Sequence, residues 1–272
     1  MKLSLSEIST VNASYREDLE AYAAAGFDGI GIWESKLSDD GEADLAALHA
    51  SGLAVANCIP AVPAILPIPD VIPGPDDPEE RIRELCASMR RLAAFEPESV
   101  LCLTGPAGQL GEGKARRVVI EGLKRVADAA GEAGVRLGLE PVHHSQRDIL
   151  TLVTSIPETL DLLEEADLPG VGVMFDTYHL WDTPTVFADI LAERDRITGV
   201  HVGDRPAEPD RTDRVLPGEG ISRTQELVVA LERRGWQGFY DVEIFSTPEL
   251  LWGLPPAEAA RRCYAAMRNL IP

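Results

Sequence analysis

Val173-Met174-Phe175-Asp176-Thr177-Tyr178-His179 is the stretch from which the fold can be read. An apolar run over residues 170–175 stops on a carboxylate, and a histidine follows three positions later. A short apolar run bounded by turn residues reads as a buried parallel strand. The acid at its end then lies at the strand's mouth, where such sheets keep their chemistry. Three other runs stop the same way: residues 135–139 at Glu140, 197–200 at His201, and 239–242 at Glu243. Glu, Asp, His and Glu at four successive strand ends make a candidate metal site.

Outward from that stretch the chain alternates. Strands are predicted at residues 2–5, 27–33, 53–59, 100–104, 135–139, 170–175, 197–200 and 239–242. Helices are predicted at 15–25, 43–50, 79–95, 114–133, 157–166, 184–193, 224–234 and 257–270, several of them stopped by glycine (Gly26, Gly52, Gly134, Gly235). Strands alternating with helices imply parallel βαβ crossovers. Eight such units in 272 residues favour one closed (β/α)₈ barrel, a fold of roughly 250 residues, and a single domain over residues 1–272. An open doubly wound sheet is the runner-up, but no glycine fingerprint follows the first strand. One connection breaks the rhythm. Residues 60–78 carry seven prolines among apolar residues, which excludes helix and reads as a binding wall or lid.

Composition limits the partners. The net charge is −20, from 45 acidic and 25 basic residues, so a polyanionic nucleic acid would be repelled. The most basic cluster, Arg81 and Arg83 with Arg90 and Arg91, lies on an ordinary amphipathic helix. No apolar run approaches the roughly 18 residues of a membrane span, and the first residues lack the pattern of a secretory signal. The four cysteines are scattered, with no CxxC pair, as in a cytoplasmic protein with reduced, buried thiols. The expected partner is a small molecule. The apolar 60–78 connection, with Trp181 or Trp252, reads either as the floor of its pocket or as the interface of a homo-oligomer.

In a barrel, Glu140, Asp176, His201 and Glu243 would end strands five to eight, on neighbouring strands about 4.8 Å apart. Three carboxylates and one imidazole form a hard, mostly oxygen donor set. It suits one divalent ion, Mn²⁺ or Mg²⁺ first, with Co²⁺, Fe²⁺ or Zn²⁺ compatible. Without an ion the clustered acids repel, and at least one must take a proton. Taken singly, any of these acids reads more readily as a helix cap or an arginine partner than as a ligand; it is the four in register that point to the ion.

The motifs Leu139-Glu140-Pro141, Phe175-Asp176-Thr177-Tyr178-His179, Val200-His201-Val202-Gly203-Asp204, Pro217-Gly218-Glu219-Gly220 and Asp241-Val242-Glu243 resemble the xylose-isomerase-like TIM-barrel superfamily. The resemblance is to its sugar isomerase/epimerase branch, with ketose 3-epimerases, hydroxypyruvate isomerase and inosose dehydratase. It spans the chain and is sharp after residue 135. It implies that Glu140, Asp176, His201 and Glu243 bind the ion and that Glu140 and Glu243 also move protons. It further implies that His179 and Arg214 hold substrate oxygens. His143 and His144, close behind Glu140, read either as holding a base or substrate ligand, with His143 the candidate substrate ligand, or as a solvated loop pair. The sugar phosphates typical of the family need a phosphate cradle, and no glycine-rich basic loop supplies one here.

The chemistry that follows is enolisation of a ketose or keto-sugar. An ion bound by a ketone and its neighbouring hydroxyl acidifies the adjacent C–H, and two glutamates on opposite sides can remove and return the proton. Return to the other face is epimerisation; return to the next carbon is isomerisation. The alternative is a lyase that expels water or an aglycone from a 3-keto sugar, glycoside or inosose. A nuclease of the endonuclease IV type would need more histidines than the five present, and a non-catalytic sugar-binding subunit would not need four ligands. Asp204 and Glu219 are read either as supports for His201 and Arg214 or as turn caps, and Trp33 and Glu34 as pocket lining or core.

Overall fold

The computed structural model describes residues 1–69, 71–208, 211 and 213–270. Its strands are β1 Lys2–Ser6, β2 Gly29–Trp33, β3 Ala54–Ile59, β4 Ser99–Cys102, β5 Leu137–Leu139, β6 Gly172–Asp176, β7 Ile197–Val202 and β8 Phe239–Val242. They pair in sequence order, all in parallel, and β8 closes on β1. The crossover helices are α1 Tyr15–Ala25, α2 Gly41–Ser51, α3 Pro78–Leu92, α4 Glu112–Ala133, α5 Ile156–Glu165, α6 Val186–Glu193, α7 Thr224–Arg233 and α8 Pro256–Leu270. This is the expected closed (β/α)₈ barrel.

Local chemistry sets the helix ends. Ser14 and Glu17 form a reciprocal capping box at the start of α1, satisfying amides that the helix leaves unpaired. Asp77 caps α3 just before Pro78, and Ser155 caps α5 just before Ile156 and Pro157. Gly26 and Gly134 close α1 and α4 in the left-handed conformation, which costs glycine little. The main apolar core fills the space between barrel and helices, with Leu5, Ile30, Val100, Leu139, Phe175 and Val200 meeting Tyr22, Leu85, Leu123 and Leu227.

Inside the barrel the two sides differ. Ile59, Ala64, Ile68, Leu101, Leu103, Val142 and Met174 form a second buried apolar cluster, with Trp33, Ile72 and Leu150 partly exposed at its edge. Met174 shares its strand face with Asp176, two residues on, so this cluster faces the same interior as the acids.

The proline-rich connection is held along its length. The chain at Ala64 runs parallel to Leu103, with Ile65 N donating to Leu103 O at 3.1 Å and Leu66 N to Thr104 O at 2.9 Å. That pairing takes up the groups by which β4 was expected to extend to Thr104, and β4 ends at Cys102. The buried Arg81 donates to Ala64 O at 2.7 Å and Pro75 O at 3.0 Å, so this arginine clamps the connection. Asp70 lies outside the described residues. Ile65 and Leu66, the obvious apolar candidates for a pocket wall, belong instead to the main core. Ala64, Ile68 and Ile72 are the loop residues that join the interior cluster. Among the described residues no helix is long and apolar enough to cross a membrane, and Cys58, Cys86, Cys102 and Cys263 are free thiols.

Candidate metal centre and active site

Register brings the expected residues together at the C-terminal mouth. Asp176 on β6 lies opposite His201 on β7, and His201 lies opposite Asp241 on β8. Glu140 continues β5, its N–H donating to Cys102 O at 3.0 Å, and Glu243 continues β8, its N–H donating to Val202 O at 3.0 Å. One donor atom from each of Glu140, Asp176 and His201 falls within 4.8 Å of the others, and all three side chains are buried. His201 Nδ1 lies 3.1 Å from Glu140 Oε1 and 3.5 Å from Glu243 Oε2. Asp176 divides its carboxylate. Its Oδ1 accepts from Tyr178 N at 2.8 Å, capping the turn that follows the strand, while Oδ2 faces the centre. One oxygen thus serves as the cap, and the other remains in the cluster.

Arg214 completes the cluster. Its Nη1 lies 2.8 Å from Asp176 Oδ2 and 3.1 Å from Glu243 Oε2, and the guanidinium lies over the Tyr178 and Phe245 rings at 4.5 and 5.1 Å. The loop reaches this place because Asp204 and Val215 form an antiparallel bridge and Arg214 N donates to Phe245 O at 2.6 Å. Asp204 organises the turn below it, its carboxylate accepting from Gly218 N, Ser222 N and Arg205 N at 3.0, 2.7 and 2.9 Å. A Cβ on Gly220 would stand 2.1 Å from Arg205 O, so only glycine fits there. Asp204 thus supports the arginine loop, and Glu219 is exposed.

His179 is buried beside this group, with Nε2 3.4 Å from Arg214 Nη2 and 3.7 Å from Asp176 Oδ2. Burial and the Arg214 charge push its pKa well down, so the ring is neutral. Nε2 faces a guanidinium, which can only donate, and the proton therefore sits on Nδ1. That Nδ1 is buried with no hydrogen-bond partner among the described residues. It is an uncommitted donor.

His143 is placed differently from a simple substrate ligand. Its Nδ1 is 2.7 Å from Ser145 Oγ and its Nε2 is 3.2 Å from Asp182 Oδ2, so both ring nitrogens have protein partners. Glu34 likewise turns from the pocket into the scaffold, accepting from Ala61 N at 2.8 Å, Ser88 Oγ at 2.6 Å and Arg91 Nε at 2.6 Å. Trp33 stays at the mouth, edge-on to Phe245 at 5.8 Å, with Nε1 donating to Ser6 Oγ at 2.9 Å.

Two residues were not singled out from sequence. Asp241 lies beneath His201, its Oδ2 3.9 Å from Nε2 and accepting from Asn57 Nδ2 at 2.9 Å. The clue was its spacing: residues two apart on a strand share a face, so Glu243 pointing inward implied that Asp241 does too. Asp182 joins His143 and His144, and its clue was its place three residues after His179.

Burial and crowding of like charges set the electrostatics of the cluster. Burial raises Glu140 to about 7 and Asp241 to about 6. Burial opposes the His201 imidazolium, but the Glu243, Glu140 and Asp241 carboxylates outweigh it and hold its pKa up at about 10. Four buried carboxylates face one guanidinium and one imidazole. His201 Nε2 is buried without a hydrogen bond among the described residues, and the buried Asp176 Oδ2 is answered by the Arg214 guanidinium at 2.8 Å. A divalent ion held by Glu140, Asp176, His201 and Glu243 would relieve that excess of negative charge with oxygen and nitrogen donors. The residues present fit such an ion.

The sequence profile of the family described as xylose isomerase-like TIM barrel matches residues 19–270. The chain belongs to that family. Among curated members, a 3-dehydroshikimate dehydratase from Pseudomonas putida is 26% identical over 263 residues, covering 90% of this chain and 38% of the dehydratase. A ketose 3-epimerase from Arthrobacter globiformis is 30% identical over 124 residues, covering 45% of this chain and 39% of the epimerase. The matches thus span about two fifths of either relative's length. The crystal structure of the IOLI protein with a bound zinc atom superposes with a TM-score of 0.81 at 22% identity, covering 100% of this chain and 98% of that one. Relatives of this xylose isomerase-like barrel thus include both epimerases and dehydratases acting on small sugar-like molecules.

Proposed function

We propose that this chain is a divalent-metal-dependent enzyme that enolises a ketose or related keto-sugar, working as an isomerase or epimerase. The observation that carries the reading is the convergence of Glu140 Oε1 and Glu243 Oε2 on His201 Nδ1, at 3.1 and 3.5 Å. When bound by Glu140, Asp176, His201 and Glu243, the ion supplies Lewis-acid polarisation of the ketone. Glu140 and Glu243 exchange the proton on the neighbouring carbon. His179 Nδ1 and Arg214 donate to substrate oxygens, including the oxygen that gains charge as the proton leaves. Mn²⁺ or Mg²⁺ suits the three carboxylates, and the zinc of the IOLI protein keeps Zn²⁺ among the candidates.

A second reading is elimination from the same enolised substrate, with water or an aglycone as leaving group. It is favoured by the apolar cluster of Ile59, Ile68, Leu103 and Met174 on one side of the interior, and by the alignment with a dehydratase over 90% of the chain. The test is incubation of the Mn²⁺-loaded protein in deuterated water with ketoses, inososes and 3-keto-glycosides. Deuterium wash-in without loss of a group identifies epimerisation or isomerisation, and release of water or aglycone identifies the lyase. Neither wash-in nor release of a group with any of these substrates would refute both.

A further inference from the structure

We propose that His143, His144 and Asp182 form a second metal site, separate from the acid cluster, which takes a divalent transition ion of the zinc class. His143 Nε2 and His144 Nε2 approach the same atom, Asp182 Oδ2, at 3.2 and 3.1 Å. Donors bound tetrahedrally to zinc at about 2.0–2.2 Å stand roughly 3.4 Å from one another, so each imidazole nitrogen stands close to ligand spacing from the carboxylate oxygen, and all three atoms lie within 4.8 Å of one another. The two imidazole rings lie 4.2 Å apart at 32°, which turns both Nε2 edges toward one carboxylate.

Two further observations point to a ligand. His143 Nδ1 is held by Ser145, whose N–H donates to it at 3.3 Å and whose Oγ lies at 2.7 Å, and these contacts fix the orientation of the ring. Asp182 Oδ1 is buried and has no hydrogen-bond partner among the described residues, although the carboxylate's other oxygen faces two rings. Either oxygen can serve the ion. Two imidazoles and one carboxylate are three protein ligands, a number that leaves a zinc ion an open position. His144, with 63% of its side chain exposed, puts that position at the solvent side.

The donor chemistry separates the two sites. Imidazole-rich sets favour Zn²⁺, Ni²⁺, Co²⁺ or Cu²⁺, whereas carboxylate-rich sets accept Mg²⁺ and Mn²⁺. The second site ties the loop after β5, which follows Glu140, to the loop after β6, which follows His179. An ion there braces two loops at the mouth. The inference does not depend on the enolising reaction.

The test is metal content. The full chain, stripped with chelator and dialysed against micromolar Zn²⁺, is assayed by mass spectrometry of the bound metal. Wild type is expected to hold two zinc equivalents, His144→Ala one, and the Glu140→Gln/Asp176→Asn double variant one. In that double variant, X-ray absorption should show two imidazole ligands; an ion without them overturns the proposal, as does equal zinc content in wild type and His144→Ala. Should wild type hold one equivalent, its loss in His144→Ala would support this site and remove the acid-cluster reading. Its loss in the double variant alone would overturn the second site. His144 is exposed, so its removal leaves folding intact.

Discussion

Arg214 Nη1 lies 2.8 Å from Asp176 Oδ2 and 3.1 Å from Glu243 Oε2, between two of the four side chains proposed to hold the ion. A buried guanidinium so placed has two effects. It offsets carboxylate charge, which stabilises the fold, and it competes with a cation for the same oxygens.

The first prediction follows from that competition. Arg214→Met should destabilise the ion-free protein by about 3 kcal/mol, the scale of breaking a buried pair by removing one partner. The same change should tighten divalent-ion binding, because the carboxylates lose their internal counter-charge. Turnover should still fall, since a donor to substrate oxygen is gone. Calorimetric titration with Mn²⁺ checks the point: weaker ion binding in the variant would mean that Arg214 supports the ion rather than competing with it.

A second prediction concerns the acid/base pair. Glu140→Gln and Glu243→Gln should each lower turnover by about 10²-fold or more, the range of general acid–base contributions. Deuterium exchange at the carbon beside the ketone should fall in step. Normal exchange in both variants would remove these residues from the proton path. Combined Glu140→Gln and Asp176→Asn should abolish ion binding at the acid cluster.

The pH response has a definite sign. His201 is raised from 6.5 to about 10, so its contribution to stability is complete below about 6.5 and is lost as pH rises to about 10. Glu140 is raised from 4.5 to about 7, so the fold favours its protonated form. That contribution is complete below about 4.5 and is lost as pH rises through about 7. Both act in the same direction, while the depressed His179 opposes them only below about pH 6.5, so the ion-free protein should melt at progressively lower temperature from about pH 6.5 to pH 10. Ion binding requires both protons to leave, so affinity should rise over the same window with measurable proton release. Melting curves with chelator and with Mn²⁺ at several pH values test this; a metal affinity that falls with rising pH would contradict the ligand set.

The barrel was legible because most strands are apolar runs that stop at a charge, a glycine or a proline, and the parallel sheet needs little else. Asp176, His201, Glu140 and Glu243 were legible as strand ends, and the structure brings all four together. Less visible was Asp241, which lies within an apolar run and shows itself only when the strand is assigned a face. Asp182 was hidden because it sits in a loop, where no periodicity tells which way a side chain turns. His143 carried the opposite signal, a histidine beside a ligand candidate, yet its nitrogens are taken by Ser145 and Asp182. In the proline-rich connection the backbone is neither helix nor regular strand, so sequence alone gave no face to Ile65 and Leu66. The pairing of residues 64–66 with 103–104 decided it.

That pairing sets the last prediction, which separates elimination from epimerisation. Ile65 is fully buried in the main core, so Ile65→Ala should cost about 2–5 kcal/mol of stability and affect all substrates alike. Ile72 is only partly buried, at the edge of the interior apolar cluster with Trp33 and Leu150. A substrate with an aromatic or other apolar leaving group would cover this edge. Burying 100 Å² of such a group is worth roughly 2.5 kcal/mol at about 25 cal/mol per Å². Losing half of that contact corresponds to close to a tenfold change in affinity, at about 1.4 kcal/mol per factor of ten. Ile72→Asn should therefore raise KM for aryl 3-keto-glycosides about tenfold and leave KM for small free ketoses unchanged. Steady-state kinetics on both substrate classes, with melting temperatures to confirm intact folding, give the answer. An equal rise for both classes would remove the apolar leaving group from the substrate and leave the epimerase or isomerase reading alone.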